Sequence, residues 1–227
     1  MKRKSIYHVN KMTMLTMFLL NIVSQLIAQT DSLVNLPQYL FSHFDNGIMK
    51  LKTGKLTKAA MNYNTLTEKM TFYQNGSVLD LIKPESVDTV YISKRVFIPF
   101  EKAFYEVILN DRISFFIQHK SDLISKGRPA ALGTTSQTSG PTSVAILSGA
   151  RKTYNLKLPE EFEVEPYEIF WLRMNNEMHR FMNERQLLNI FPEKKDQLKD
   201  FIKESELNIK EPGELLKLAT FCNKVMK

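Results

Sequence analysis

Met70-Thr71-Phe72-Tyr73-Gln74-Asn75-Gly76-Ser77-Val78-Leu79-Asp80-Leu81 decides the fold class. Two short apolar-rich runs, 70–73 and 78–81, flank an Asn-Gly pair. A two-residue type I′ turn needs φ above zero at both central positions, and Asn-Gly meets that need at little cost. The stretch therefore reads as a β-hairpin, and similar runs extend on both sides of it. Upstream, 48–52 leads through Thr53-Gly54 into 56–63, where Thr57, Ala59, Met61 and Tyr63 point one way and Lys58, Ala60 and Asn62 the other. Downstream, runs rich in Val, Ile, Phe and Tyr recur at 89–92, 96–99, 104–109 and 113–119, with Asp111 in the turn before the last. Residues 44–119 thus read as an antiparallel β-meander. Its alternation is only partial, which points to a curved sheet or open barrel with some strands buried on both faces.

Beyond 119 the pattern breaks. Residues 120–153 read as a long loop centred on Gly133-Thr134-Thr135-Ser136-Gln137-Thr138-Ser139-Gly140-Pro141-Thr142-Ser143. A connection of that length inside a compact domain is usually functional or unstructured. Strand patterns resume at 154–158 and at 162–165, where Phe162 and Val164 alternate with Glu161, Glu163 and Glu165 until Pro166 ends the run. Residues 169–174 and 178–181 read as a last hairpin across Asn175-Asn176-Glu177.

The remaining residues are helical in pattern. Asn183 is a good N-cap for a short helix through Leu187, Leu188 and Phe191. Pro192 suits the opening of a second, in which Leu198, Phe201 and Ile202 form an i, i+3, i+4 stripe. Pro212 suits the first turn of a third, with Leu215, Leu218, Ala219 and Cys222 on one face. Strands first and about three helices last predict an α+β class.

Length and composition bound the rest. The chain has 227 residues, 43% hydrophobic and 24% charged, the balance of a globular protein. Its formal charge of +7 is misleading. Lys2, Arg3, Lys4 and Lys11 precede an apolar run at 12–23 and a small Ala28, the three-part pattern of a secretory signal peptide over residues 1–28. Removing those four from the 31 Lys and Arg leaves 27 against 24 acidic groups, a net of +3. The excess positive charge belongs to export, and a nucleic-acid role loses its compositional support. The expected organisation is a signal peptide at 1–28, a β-rich domain at 29–182 and C-terminal helices at 183–227 packed on the same domain. No membrane span is expected after cleavage, because the spanning requirement of about 20 apolar residues is not met. The product is expected in the periplasm or outside the cell. Cys222 is the only cysteine, so the domain holds together without an internal disulfide, and the thiol reads as core.

Several segments carry a resemblance. They are Gly47-Ile48-Met49-Lys50-Leu51-Lys52, Met61-Asn62-Tyr63-Asn64, Val87-Asp88-Thr89-Val90-Tyr91-Ile92 and Phe104-Tyr105-Glu106-Val107. Gln118-His119-Lys120-Ser121, Thr135-Ser136-Gln137-Thr138-Ser139, Leu156-Lys157-Leu158-Pro159 and Asn183-Glu184-Arg185-Gln186 complete the set. Together they resemble a family of exported proteins of Bacteroidota-type bacteria with no assigned function. The resemblance implies export and an ordered 134–139 segment, and it implies no chemistry.

No complete catalytic or cofactor signature is present. His43, His119 and His179 are too far apart for a local metal motif such as His-x-x-x-His, and neither metal nor cofactor is expected. His119 follows Ile113, Phe115 and Ile117 on one strand face and reads as a satisfied core or rim histidine. As a general base it would activate Ser121 or Ser136, but no nucleophile-elbow or lactamase motif surrounds either. The Gly133–Gly140 stretch lacks the Lys of a phosphate-binding loop. Glu160, Glu161, Glu163 and Glu165 read as a solvated strand face. The candidate binding residues are therefore His119, Lys120, Ser121, Arg128, Thr135, Ser136, Gln137, Thr138 and Ser139. The sequence favours a non-enzymatic envelope protein that binds another macromolecule. The alternatives are a carrier or sensor of a small apolar ligand such as a lipid, and an exported hydrolase.

Overall fold

The computed structural model describes residues 36–125, 128–129, 135–136 and 162–226. Ten antiparallel strands form one sheet. In chain order they are β1 (Asp45–Leu51), β2 (Leu56–Asn64), β3 (Lys69–Gln74), β4 (Ser77–Asp80), β5 (Val87–Ile92), β6 (Arg95–Phe100), β7 (Ala103–Leu109) and β8 (Ser114–Ser125), then β11 (Phe162–Met174) and β12 (Glu177–Phe181). Two short strands, β9 (Arg128–Pro129) and β10 (Thr135–Ser136), pair separately. Helices α1 (Glu184–Ile190), α2 (Lys195–Glu204) and α3 (Pro212–Val225) follow. The class is α+β, as the sequence predicts.

The Asn75-Gly76 turn forms with φ of 51° and 78°, and Gln74 faces Ser77 across it. A second Asn-Gly pair, Asn46-Gly47, lies inside β1 and makes no turn. Gly47 is there for space: a Cβ on it would stand 2.9 Å from Met61 Sδ and 3.0 Å from the Tyr91 carbonyl oxygen.

The sheet order is β12-β11-β8-β7-β6-β5-β1-β2-β3-β4. The meander is thus two runs, β4 back to β1 and β5 on to β8, joined where β5 pairs with β1. The sheet curls without closing. At the end of β2 the chain comes back to β8, where Ser121 N–H donates to the Thr65 carbonyl at 3.0 Å. The two hydroxyls, Thr65 Oγ1 and Ser121 Oγ, meet at 2.7 Å.

The concave face carries two cores. Under the curl, Met61, Tyr63, Met70, Val90, Phe97 and Phe104 pack together. Under the helices, Phe115, Ile117, Phe170, Leu172 and Phe181 meet Leu187, Leu198, Leu215, Leu218 and Cys222. The α3 stripe read from the sequence is this buried face, each of its four members fully inaccessible.

Two strand boundaries differ from the sequence reading. β8 runs on to Ser125, so residues 120–125 are strand rather than loop. β11 passes through Pro166 without a break, pairing Pro166 with Ser121. The physical reason is the other edge: β12 pairs with β11 only from Phe170 to Met174, so the missing N–H of Pro166 costs no ladder bond there. No helix among the described residues is long and apolar enough to cross a membrane. Residues 1–28 lie outside the described residues.

Candidate functional site

Between the two cores the concave face turns polar. Glu106 interrupts the apolar run of β7, and strand register sets it opposite Phe97 of β6 and Ile117 of β8. On β8 the next residue of the same face is His119, opposite Glu168 of β11. Arg95, which opens β6, points onto the same patch.

The four side chains interlock. Arg95 Nε donates to Glu106 Oε1 at 2.7 Å, and Arg95 Nη2 donates to Glu106 Oε2. His119 Nε2 lies 2.7 Å from Glu106 Oε2, and His119 Nδ1 lies 3.1 Å from Glu168 Oε1. Arg95 Nη2 also lies 2.7 Å from Nε2. Nε2 can bond only one of these two neighbours, and a carboxylate on each side of the ring favours a proton on both nitrogens. Glu106 then accepts from the guanidinium and the imidazolium together. The guanidinium sits over the Phe41 and Phe97 rings, 5.3 and 5.7 Å from their centroids.

Burial sets the electrostatics. His119 and Glu106 are 4% and 5% exposed. Burial works against charging His119, but the bonds from Glu106 and Glu168 outweigh it and raise its pKa above the ordinary imidazole value. Burial also works against charging Glu106, but the bonds from His119 and Arg95 outweigh it and hold its pKa below the usual carboxylate value. With His119 protonated, two cations and two carboxylates balance.

A cleft of about 500 Å³ opens over this quartet, in the size range of small-molecule sites. His119 and Glu168 form its polar floor, and Leu40, Pro166, Tyr167, Phe170 and Met182 its apolar walls. Leu40 is placed by Asn62. The Asn62 amide donates to the Phe41 and His43 carbonyls at 2.8 and 3.1 Å and accepts from Phe41 N–H at 3.1 Å. Leu40 N–H donates to the Tyr63 carbonyl at 2.9 Å. Two lysines reach the cleft. Lys120 is neutralised by Glu68 at 2.7 Å, whereas Lys210, between α2 and α3, has no ion-pair partner among the described residues.

The structure separates the residues chosen from sequence. His119, Lys120 and Ser121 follow one another in the middle of β8, and the first two line the cleft. Ser121 is buried and bonded to Thr65, not to His119, and neither imidazole nitrogen is free to take a hydroxyl proton. Arg128 pairs in register with Ser136, and Thr135 with Pro129, in the separate two-stranded ladder. Gln137, Thr138 and Ser139 lie outside the described residues, as do Glu160 and Glu161. Glu163 and Glu165 are exposed, as the alternation predicts. His43 and His179 stand elsewhere, beside Asp45 and Glu177. No group of three or more His, Cys, Asp or Glu among the described residues could hold a metal ion.

Sequence reasoning missed Arg95, Glu106, Glu168, Met182 and Lys210. For Glu106 a signal existed: one carboxylate inside Phe104-Tyr105-Glu106-Val107-Ile108-Leu109, on the face that should be core. Compared with known protein families, with curated proteins and with solved structures, the chain matches none.

Proposed function

We propose that this chain is an exported, non-enzymatic binding protein of the cell envelope, and that it binds a small ligand in the cleft over His119. One observation carries the reading. A cleft of about 500 Å³ with apolar walls has as its polar floor His119 and Glu168, the two members of a bonded quartet that reach it. The buried bonds among Arg95, Glu106 and His119 fix the imidazole in place, which suits recognition. Catalysis by His119 would need a free lone pair, and both ring nitrogens face carboxylates.

The test is native mass spectrometry of the protein purified from cells under gentle conditions. A bound small molecule is expected. It should be lost in M182W, where a larger side chain replaces a cleft wall that is 41% exposed and so outside the core. A clean apo mass for the wild type counts against the cleft. Export has its own check: the N-terminus of the protein recovered from the envelope should begin at Gln29.

A second reading, binding of a partner protein, is favoured by the β8–β11 ribbon. These strands stay paired over twelve positions, from Ser114–Arg173 to Ser125–Phe162. β7 pairs with β8 only up to Ile117, and β12 with β11 only from Phe170. The pair therefore runs past its neighbours and carries residues 126–161 at its far end. Deleting 134–143 should then remove a partner from a crosslinked envelope pull-down, and an unchanged partner set counts against it.

A further inference from the structure

The cleft is asymmetric in charge, and that asymmetry says what kind of molecule it takes. Of its two lysines, Lys120 is already paired with Glu68 at 2.7 Å. Lys210 is exposed and meets no carboxylate within salt-bridge distance among the described residues. Lys210 lines the same cleft as His119 and Glu168, beside the apolar side chains of Leu40, Pro166, Phe170 and Met182. The floor is an imidazole whose Nδ1 faces the cleft through a single, partly exposed acceptor, Glu168, at 3.1 Å and 36% side-chain exposure. Its other carboxylate, Glu106, is locked from behind by Arg95 and does not line the cleft.

Resting on the cleft reading above, we infer that the ligand is an anionic amphiphile: an apolar chain with a single carboxylate-like head group. The chain lies against Leu40, Phe170 and Met182. The head group pairs with Lys210 and takes the place of Glu168 on His119 Nδ1. Glu168 is the member able to give way, because its side chain is 36% exposed and it is held by one bond. Glu106 cannot, because it is buried and holds both Arg95 and His119. The exchange conserves charge at Nδ1, since one carboxylate replaces another, and it leaves the Arg95–Glu106 pair intact. A neutral amphiphile would fill the same walls but leave Lys210 without a counter-charge. A dianion would place a second negative charge beside Glu168 and Glu106.

Isothermal titration of the purified protein with decanoate and with decanol tests this, because the two share a chain and differ in head charge. Decanoate should bind about tenfold tighter than decanol, the worth of one charge-assisted contact. K210A should bring that ratio close to one. E168Q should tighten decanoate, because the competing carboxylate is gone, and M182W should weaken both ligands. Equal affinity for decanol and decanoate in the wild type overturns the inference and leaves a cleft for uncharged ligands. A ratio that survives K210A, or a weaker decanoate complex in E168Q, overturns it as well. Decanoate binding that survives M182W places the site elsewhere and overturns the cleft reading itself. No binding of either, together with a clean native apo mass, removes both.

Discussion

At the scale of single residues, the quartet is where stability and site meet. Glu106 is the shared acceptor, so removing its charge leaves Arg95 and His119 as uncompensated neighbours. E106Q should cost about 3 kcal/mol in urea unfolding, the usual result of breaking a buried ion pair from one side. The pH dependence follows from the two shifts. His119 has its folded pKa raised above the ordinary imidazole value of 6.5, so its contribution is complete below 6.5 and is lost as pH rises through the folded value. Glu106 has its folded pKa lowered below 4.5, so its contribution is complete above 4.5 and is lost as pH falls through the folded value. The quartet therefore stabilises most between pH 4.5 and 6.5. The urea midpoint should fall as pH is raised above 6.5, and H119Q should flatten that decline. A midpoint that climbs steadily from pH 6 to 8 in the wild type would contradict the assignment. Gly47 gives a second residue-scale test. G47A puts a Cβ 3.0 Å from the Tyr91 carbonyl oxygen, which is backbone and cannot step aside. A loss of about 1–3 kcal/mol is expected from such overpacking.

At the scale of elements, the parts with local chemistry were legible and the parts set by neighbours were not. The Asn75-Gly76 hairpin, the α3 stripe and the Asn183 cap each rest on a few adjacent residues. At α1 the Asn183 side chain accepts from Gln186 N–H at 2.9 Å, and Gln186 Oε1 accepts from Met182 N–H at 2.8 Å. The second bond goes one residue before the cap, a variant of the capping box. N183A should cost about 1 kcal/mol, read as a lower thermal midpoint, and N183D should restore most of it. The Pro166 break failed because a proline's effect depends on which edge of its strand is paired, and pairing partners are distant in sequence. Residues 120–125 read as loop for a similar reason. Ser121 and Asp122 look like turn residues locally, but β11 supplies a partner for each position. The candidate site was half legible. His119 was visible as a histidine at the end of an apolar strand, whereas Arg95, Glu168 and Lys210 come from three other elements.

At the scale of the whole molecule, the sequence pointed to a curved sheet with helices after it, but not to β5 leaving β4 to pair with β1. That pairing has an energetic consequence. It makes one continuous sheet of two meander runs, so each run is hydrogen-bonded to the other along β1 and β5. β7 then serves both cores, with Phe104 under the curl and Ile108 and Leu109 against the helix-covered core. Between those ends sits Glu106, bonded to β6 through Arg95 and to β8 through His119. A molecule wired this way should open as one unit, because the continuous strand ladder and the bonds of Glu106 tie the strands under both cores together. Native-state hydrogen exchange measures this directly. The slowest amides of β2, at Met61 to Tyr63, and of α3, at Leu218 to Cys222, should share one opening free energy within about 1 kcal/mol. Cys222 supplies an independent reading. It is fully buried, and burial pushes its thiol up to about 12, so it should resist thiol reagents until that same opening. Reaction of Cys222 well before β2 exchanges would mean that the helices lift from the sheet alone. The cleft, built from Leu40 on one side and Lys210 on the other, would then change shape without unfolding.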